Sequence, residues 1–371
     1  MVYQPKFYYQ VLPYDISSTG VLNKARYYIS DLPIPGFKVH PAFIDKNGNE
    51  VDYILLSAYE GTRMSFDKGF ILDANRATLT QLHSTQYPET MVLCSVAGQQ
   101  PTSGMHYELT AEMAEHAAQN RGENWHIETI QTISANQLLM IIEYCQFNMQ
   151  EAIGPGVTSL KGYIYAENSH IMNGSTLTGS TSELGNKTGS ASKTVRIIPG
   201  TYYGQKKSEM PSEEYAWSGA VAVSYRGMEN PWGNIFKFVN GMTTNDYVVY
   251  IDDENTELVM MAYLDEWGHK HPFNGFISKF RYSEKYDWLF IPAEGEGNNK
   301  LPVGDQAISG ALRSDAHYVY GGSHWVDSDY KLGTSGPFNL DAFYSNDGSN
   351  EYFHAGDLGT RLIYTPTAEE V

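Results

Sequence analysis

The stretch YRGMENPWGNIFKFVNG, residues 225–241, contains the strongest fold signal in the chain. Closely spaced aromatic residues alternate there with glycine and asparagine, a mixture typical of a buried turn that leads into a strand. We expect core aromatics and tight glycine positions, at Trp232, Phe236, Phe238, Gly233 and Gly241. Asn230 and Asn234 are expected to satisfy backbone groups of loops, or a buried ion. We therefore interpret this stretch as scaffold rather than as a site.

The composition around this stretch predicts a β-rich chain with long surface loops. The 371 residues include 28 Tyr, 15 Phe, 6 Trp and 34 Gly, which favour strands and tight turns over long helices. Tyrosine is also common on recognition surfaces, so composition leaves both interpretations open. The net charge of −18 argues against nucleic acid and anionic lipid as partners. The chain lacks an apolar run long enough for a membrane span.

The N-terminus and the cysteines limit location and chemistry. The start MVYQPKFYYQVLPYD lacks the features of a secretory signal, which predicts synthesis in the cytoplasm and any export by another route, such as lysis. The two cysteines, Cys94 and Cys145, allow one disulfide but exclude a disulfide scaffold and a cysteine-rich metal site.

Two helices are predicted from apolar periodicity and capping residues. The first covers residues 110–121, with Thr110 as its N-cap and Gly122 as its stop. The second covers residues 134–152, with Ser134 as its N-cap and a Gly-Pro-Gly stop after it.

The remaining pattern predicts strands, turns and one long loop. Turn residues between apolar runs predict hairpins with tips at residues 45–49 and 252–255. Residues 167–192 are rich in Gly, Ser, Thr and Asn, and we expect a loop there.

Two short motifs could bind a metal ion, and neither is complete. His269 and His271 have the alternation of a strand, but a metal site usually needs three or four ligands. The run Asp252–Glu254 lacks the ligand spacing of an EF-hand loop, so a solvated hairpin tip is favoured. We expect no cofactor, and the sequence leaves a structural calcium ion open. Paired carboxylates for catalysis cannot be placed in space from sequence.

Four segments, read in order, resemble a known family. They are GFKVHPAF (36–43) with YILLSAYE (53–60); NWHI (124–127) with QLLMIIEY (137–144) and NMQ (148–150); residues 225–241; and YGGSHW (320–325) with GTRLI (359–363). The third resembles a G-x-E-N-x-x-G-N block and the fourth a G-G-S-W … G-x-R-L close. Both blocks occur in bacteriophage tail proteins with a C-type-lectin-like domain of the formylglycine-generating-enzyme (sulfatase-modifying factor) type. The likeness covers roughly residues 36–365.

The resemblance implies an α+β fold of the C-type-lectin-like kind over residues 36–371. It implies short antiparallel strands, two helices and long loops, preceded by an N-terminal arm, residues 1–35, that attaches the protein to the virion. In the enzyme branch of the family, catalysis needs a cysteine pair in the C-terminal part that holds a metal. No cysteine follows Cys145 here, so we expect no such enzyme activity.

The function implied by the resemblance is host recognition. The chain would be a virion protein of the tail, baseplate or tail fibre that binds a host-surface glycan or protein during adsorption. Its partners would be other tail or baseplate proteins, through the arm, and further copies of itself, by analogy a trimer. Two alternatives stay open: a structural tail component with a decorative lectin-like domain, and a glycan-cleaving tail enzyme, which needs two carboxylates about 5–10 Å apart.

Receptor contacts are predicted between residues 318 and 356, where Tyr, Asp, Ser, His and Asn are dense between two framework blocks. Aromatic faces stack on sugar rings, and Asp and Asn form hydrogen bonds with hydroxyl or amide groups. The candidates are Tyr318, Tyr320, His324, Trp325, Asp327, Asp329, Tyr330, Asn339, Tyr344, Asn346 and Tyr352. Alternatively, several of them fill the core, Trp325 first. Related lectin-like phage proteins randomise such positions by a diversity-generating mechanism, which is one explanation of this composition. An ordinary loop with hydrogen-bonding side chains would have the same composition.

Overall fold

Short runs of alternating apolar and polar residues form most of the regular structure. The computed structural model describes residues 1–65, 69–70, 91–99, 101–102, 110–158, 176–197, 215–260, 262–264, 270–272, 274–308, 317–322, 336–342 and 358–368. Within these ranges the fold is mixed, with many antiparallel strands, three α-helices and two short 3-10 helices, Pro41–Phe43 and Ser182–Leu184.

The strands, in chain order, are β1 (Val2–Pro5), β2 (Tyr8–Ile16), β3 (Val21–Ser30), β4 (Lys38–Val39), β5 (Tyr53–Leu56), β6 (Thr62–Ser65), β7 (Gly69–Phe70), β8 (Met91–Cys94), β9 (Trp125–Ile127), β10 (Gly189–Ile197), β11 (Tyr215–Tyr225), β12 (Met228–Glu229), β13 (Phe236–Asn245), β14 (Val248–Ile251), β15 (Glu254–Val259), β16 (Ala262–Leu264), β17 (Lys270–Pro272), β18 (Asn274–Phe276), β19 (Lys279–Arg281), β20 (Pro292–Glu294), β21 (Gln306–Ile308), β22 (His317–Gly321), β23 (Leu340–Ala342), β24 (Leu358–Gly359) and β25 (Leu362–Tyr364). The helices are α1 (Ala111–Gln119), α2 (Ile130–Tyr144) and α3 (Met149–Ala152).

Three sheets contain most of these strands. The largest has the order β15-β14-β13-β22-β23, and β24 joins it by pairing in parallel with β13. A five-stranded sheet has the order β20-β19-β3-β2-β4, and a four-stranded sheet has the order β1-β5-β25-β9. The smaller described sheets are β10-β11-β12, β7-β6-β8, β16-β17 and β18-β21.

The helix predictions are confirmed for α1 and wrong in bounds for the second helix. The Thr110 side chain accepts a hydrogen bond from Met113 N at 3.1 Å, as an N-cap does. The second helix starts four residues earlier than predicted, because Thr129 and Thr132 form a reciprocal capping box. It ends at Tyr144, where Cys145 adopts a left-handed backbone with φ of 53°, and α3 is a separate turn.

Helix α2 lies in the main hydrophobic core, which explains its mostly apolar sequence. Leu138, Leu139 and Met140 are buried in the same cluster as a group of packed phenylalanine rings. Ring centroids 5.5–5.7 Å apart join Phe147, Phe280, Phe290 and Phe338 in edge or tilted contacts. The core therefore draws residues from the middle and the C-terminal third of the chain.

The turns at both predicted hairpin tips are confirmed, but paired strands flank only the second. Before the first turn, Pro41–Phe43 form a 3-10 helix, and a single antiparallel bridge pairs Ile44 with Glu50. Asp45 Oδ1 accepts hydrogen bonds from Asn47 N at 2.9 Å and Asn49 N at 2.8 Å, which closes the first turn. Asp252 and Asp253 have φ of 47° and 65° in the turn between β14 and β15. The predicted loop at 167–192 is present over residues 176–188, but 189–192 belong to β10, and 167–175 lie outside the described residues.

The core assignments in residues 225–241 are also confirmed for most positions. Trp232 and Phe238 are buried, and Gly233 and Gly241 have φ of 79° and 73°. Phe236 is only partly buried, against a second cluster formed by β8, α1 and the C-terminal strands.

Residues 1–35 are part of the fold, so the predicted boundary at residue 35 is not a structural boundary. Strand β1 pairs with β5, and the β2–β3 hairpin lies between β4 and β19 in the five-stranded sheet. Phe7, Tyr9 and Val11 are buried in the main core, and Tyr9 Oη donates a hydrogen bond to Asp287 Oδ1 at 2.7 Å. A separable arm would not share backbone pairing and core contacts with the remaining chain.

Two further observations concern cysteines and helices. Cys94 is buried, Cys145 is exposed, and both are free thiols. Each of the described helices is too short or too polar to cross a membrane.

The burial of the N-terminal strands gives a stability prediction. Tyr9→Ala removes a buried ring and the hydrogen bond to Asp287, and should lower the free energy of unfolding by about 3–5 kcal/mol. Tyr14→Ala, on the solvent side of the same strand, should change it by no more than about 0.5 kcal/mol. Urea denaturation measures both. Equal effects of the two substitutions would show that the hairpin is not part of the core.

Candidate functional site

A buried ion pair lies at the centre of the block formed by residues 225–241. Lys237 Nζ is 3.3 Å from Glu60 Oε1 and donates a hydrogen bond to Gly233 O at 2.7 Å. Both side chains are shielded from solvent. Burial lowers the pKa of Lys237 to about 8, although the nearby Glu60 carboxylate opposes the shift. The ammonium group therefore stays charged near neutral pH.

Asn234 connects the Glu60 carboxylate to a distant loop. Its backbone has φ of 68°, a conformation that asparagine tolerates better than most residues. Its Nδ2 donates to Glu60 Oε2 at 2.5 Å, and its Oδ1 accepts from Thr176 N at 2.7 Å. This geometry confirms that Asn234 satisfies a loop backbone group.

Glu229 holds the same loop from the other side. Its carboxylate accepts hydrogen bonds from Gly179 N at 2.8 Å and from Thr181 N at 2.6 Å. The Thr181 hydroxyl adds a third bond at 2.8 Å. Burial raises the pKa of Glu229, while these three donors act in the opposite direction by stabilising the charged form.

Arg361 joins the C-terminal segment to this cluster. Its guanidinium donates hydrogen bonds to the backbone carbonyls of Glu229, Asn230 and Ser57. The Asn230 backbone has φ of 46°, which turns its carbonyl toward the guanidinium side of the block. Glu128, which directly follows β9, donates its backbone N–H to Arg361 O at 3.0 Å and so links β9 to the cluster.

A small cleft lies between α2 and the β22–β23 hairpin, next to this cluster. Its cavity of about 20 Å³ has room for roughly one water molecule. The charged residues that line it are Glu128 and Lys237, and Asn339 contributes a buried Oδ1 without a hydrogen-bond partner in the described structure. Burial raises the pKa of Glu128, against the effect of Arg361 and Lys237. The cleft can therefore hold a water molecule or a small polar group.

The hairpin above the cleft is fixed at both ends of its connection, residues 323–335. At the first end, Gly233 N donates to Gly322 O at 2.6 Å. At the second end, the buried Asp305 carboxylate accepts hydrogen bonds from Phe338 N at 2.8 Å and Gln150 Nε2 at 3.0 Å. Burial raises the pKa of Asp305 to about 7, so this carboxyl titrates near neutral pH.

Three of the predicted receptor residues, Tyr318, Tyr320 and Asn339, lie in the part of the chain that the structure describes. Tyr318 and Tyr320 belong to β22, where their backbones pair with Thr243 and Phe238 of β13. Asn339 is buried, and its Nδ2 donates to Gln306 O at 2.5 Å, so the structure assigns it to the scaffold rather than to an exposed surface. The other candidates lie outside the described residues: His324, Trp325, Asp327, Asp329, Tyr330, Tyr344, Asn346 and Tyr352.

The metal motifs gain no further ligands in the described part of the chain. His269 lies outside it, and His271 is described only as part of β17. Asp252 Oδ2 accepts a hydrogen bond from Gln131 Nε2 at 3.1 Å. Among the described residues, His, Cys, Asp and Glu side chains form no group of three that could hold a metal ion.

Sequence reasoning missed the charged residues that organise the site. Glu60 and Arg361 lie in quoted segments, yet nothing in either segment shows that they meet the 225–241 block. Glu128 and Asp305 have no local signal, because their partners come from other parts of the chain.

In comparisons with known proteins, no family model matches this chain and no curated protein matches it significantly.

The buried ion pair gives a prediction about stability. Lys237→Met leaves the Glu60 carboxylate without its counter-charge and should lower the free energy of unfolding by about 3–5 kcal/mol. Adding Glu60→Gln should recover part of that loss, because the double variant buries no uncompensated charge. Urea denaturation of the single and double variants measures this coupling.

The matched control for this pair is an exposed one. Lys285 pairs with Glu254 at the surface, and Lys285→Met should leave stability almost unchanged. If Lys237→Met is as mild as Lys285→Met, or if Glu60→Gln adds to its damage, the buried pair does not have the role described above.

Asp305 gives a prediction about pH. Its folded pKa of about 7 lies above the ordinary value of 3.8, so between these values the folded state binds the proton more tightly. Its contribution to stability therefore falls as pH rises from about 4 to about 7, by no more than about 1.4 kcal/mol per pH unit.

Asp305→Asn removes this titration and keeps an oxygen that can accept from Phe338 N. The variant should gain stability relative to the unmodified protein as pH rises from 5 to 8, which urea denaturation at each pH measures. The comparison cancels other titrations, such as that of buried His40, whose pKa burial lowers to about 3. Parallel pH profiles would contradict the assignment.

Proposed function

We propose that the chain is a bacteriophage virion protein of the tail, baseplate or tail fibre, whose C-type-lectin-like domain binds a host-surface glycan or protein during adsorption. The observation that carries this proposal is the convergence of the four family-like segments. Glu60 comes from the first, the Glu128 backbone adjoins the second, Asn234 and Lys237 come from the third, and Arg361 comes from the fourth. Segments that resemble a family framework would be expected to meet in this way.

The position of the predicted receptor segments supports binding as the activity. The connection 323–335 starts and ends on neighbouring strands, where Gly322 N donates to Asn339 O at 3.2 Å. The connection 343–357 starts after β23 and ends at β24, which pairs with β13. Binding residues are commonly placed on loops whose ends a rigid scaffold fixes.

The chemistry of the cluster favours a scaffold over a catalytic centre. Glu229, Asn234 and Arg361 use their polar atoms to hold backbone groups of other segments. In the described lining of the cleft, Glu128 is the single carboxylate. The glycan-cleaving alternative would need a second carboxylate from another part of the chain.

The proposal includes a location and partners. The protein would be made in the host cytoplasm and function in the virion, in contact with other tail or baseplate proteins. Because residues 1–35 are paired into the sheets, attachment would use their exposed side chains rather than a free arm.

A glycan array and a panel of bacterial cells test the proposal. The unmodified protein should bind a restricted set of glycans or cells. A variant with Asp327→Ala, Asp329→Ala and Tyr330→Ala should bind at least about tenfold more weakly, since such contacts contribute about 1–2 kcal/mol each. Tyr3→Ala is the matched control, because Tyr3 is an exposed tyrosine far from these positions in the sequence, and its binding should be unchanged.

Product analysis separates the alternatives. The bound glycan should be recovered intact, and a shortened glycan would favour the glycan-cleaving alternative instead. Absence of any binding by a protein that antibodies locate on phage particles would favour the purely structural tail component.

A further inference from the structure

Buried polar side chains from three separate parts of the chain line the cleft between α2 and the β22–β23 hairpin. Glu128 follows β9, Asn136 belongs to α2, and Asn339 directly precedes β23. Each of the three residues is only 6% exposed. Apart from Lys237, the other lining residues are apolar or glycine. Polar groups that enter such a cleft need hydrogen-bond partners inside it.

The Asn339 amide shows which kind of partner is needed. Its Nδ2 donates a hydrogen bond to Gln306 O at 2.5 Å, and this contact fixes the orientation of the amide, because a carbonyl oxygen requires a donor. The other amide atom, Oδ1, is buried and has no hydrogen-bond partner in the described structure. An unpaired buried acceptor is costly, so we expect a donor inside the cleft.

Lys237 lines the same cleft, but its ammonium group is used elsewhere. Its Nζ donates a hydrogen bond to Gly233 O at 2.7 Å and lies 3.3 Å from Glu60 Oε1. The donor to Asn339 Oδ1 is therefore a molecule that enters the cleft rather than a described side chain.

Size and charge select a small neutral molecule. The cavity of about 20 Å³ has room for roughly one water molecule. Lys237 and Arg361 act on the buried Glu128 carboxyl as nearby positive charges, and they would repel a further cation beside it. Glu128 and Glu60 would repel an anion in the same way. Water is neutral, can both donate and accept, and typically forms about three hydrogen bonds when it is buried.

We infer that the cleft is a binding site for one water molecule, which donates hydrogen bonds to Asn339 Oδ1 and the Glu128 carboxyl and accepts one from Asn136 Nδ2. The three side chains belong to different segments, so the water joins α2 and the end of β9 to the start of β23. It thereby extends the buried charged cluster across the cleft to the β22–β23 hairpin. The inference does not depend on the proposed function.

Nuclear Overhauser effects between water and side-chain amides test this inference on the unmodified full chain. A long-lived water molecule in the cleft should give cross-peaks from the water resonance to the Nδ2 protons of Asn136 and Asn339. Asn148 is the matched control, because it is also buried and both of its amide atoms have protein partners. Its Nδ2 donates to Lys300 O at 2.8 Å and its Oδ1 accepts from Glu151 N at 3.0 Å, so it should give no such cross-peak.

The variant Asn136→Leu separates a hydrated cleft from a dry one. Leucine branches at the same carbon as asparagine, but it can neither donate nor accept a hydrogen bond. If the water is bound, the substitution removes one of its partners, so the midpoint of urea denaturation should fall and the cross-peak at Asn339 should disappear. In a dry cleft, the substitution replaces an unpaired buried amide with an apolar group, and the midpoint should stay unchanged or rise.

The cross-peaks of the unmodified protein decide the inference even if this variant does not fold. Their absence at Asn136 and Asn339 would overturn it, and so would equal cross-peaks at Asn148, which would report exchange with bulk solvent rather than a site. An unchanged or raised midpoint for Asn136→Leu would contradict it as well. Stabilisation by one particular monovalent cation, without a water cross-peak, would assign the cleft to an ion instead.

Discussion

The ion pair between Lys237 and Glu60 is the interaction on which the rest of the structure depends. Two charges inside a protein are costly unless each has the other and further hydrogen-bond partners. Here Lys237 also binds Gly233 O, and Glu60 also accepts from Asn234. Neither charge is compensated unless Glu60, in the loop after β5, lies next to the start of β13. The pair therefore fixes one arrangement of chain segments that are distant in sequence.

The neighbouring groups extend this constraint to the remaining framework. Backbone N–H groups donate hydrogen bonds to the Glu229 carboxylate, and backbone carbonyls accept hydrogen bonds from the Arg361 guanidinium. Both charged side chains near the pair therefore position the main chain of other segments. The same framework holds Gly322, while Asp305 holds Phe338, on either side of the 323–335 connection. Binding residues are commonly placed on loops whose ends a rigid scaffold fixes, and this arrangement is the basis of the proposed recognition function.

Local features of the fold could be predicted from sequence, and distant contacts could not. Thr110 caps α1 and Asp45 closes its turn through atoms a few residues away, which the sequence displays directly. The predicted start of α2 at Ser134 is wrong because Thr129 and Thr132 cap the helix reciprocally, whereas Ser134 is buried and donates to Trp288 O. Residues 1–35 have the aromatic content of an arm, but only their pairing with β5 and β19 shows that they belong to the sheets. Asn339 lies in a segment with the composition of a surface loop, yet its side chain is buried. Its hydrogen-bond partner Gln306 is 33 residues away, so the local sequence does not indicate this contact.

The central claim is that the Glu60, Lys237 and Arg361 segments form one cooperative unit. Hydrogen exchange followed by mass spectrometry measures this on the unmodified protein, through peptides that cover residues 57–61, 229–237 and 360–363. If the buried cluster holds the fold together, amides in all three peptides exchange only through global opening, with one common free energy equal to that of unfolding. If any of the three exchanges through a local opening of much lower free energy, its segment can separate while the others stay folded, and the cluster is not the interaction on which the structure depends.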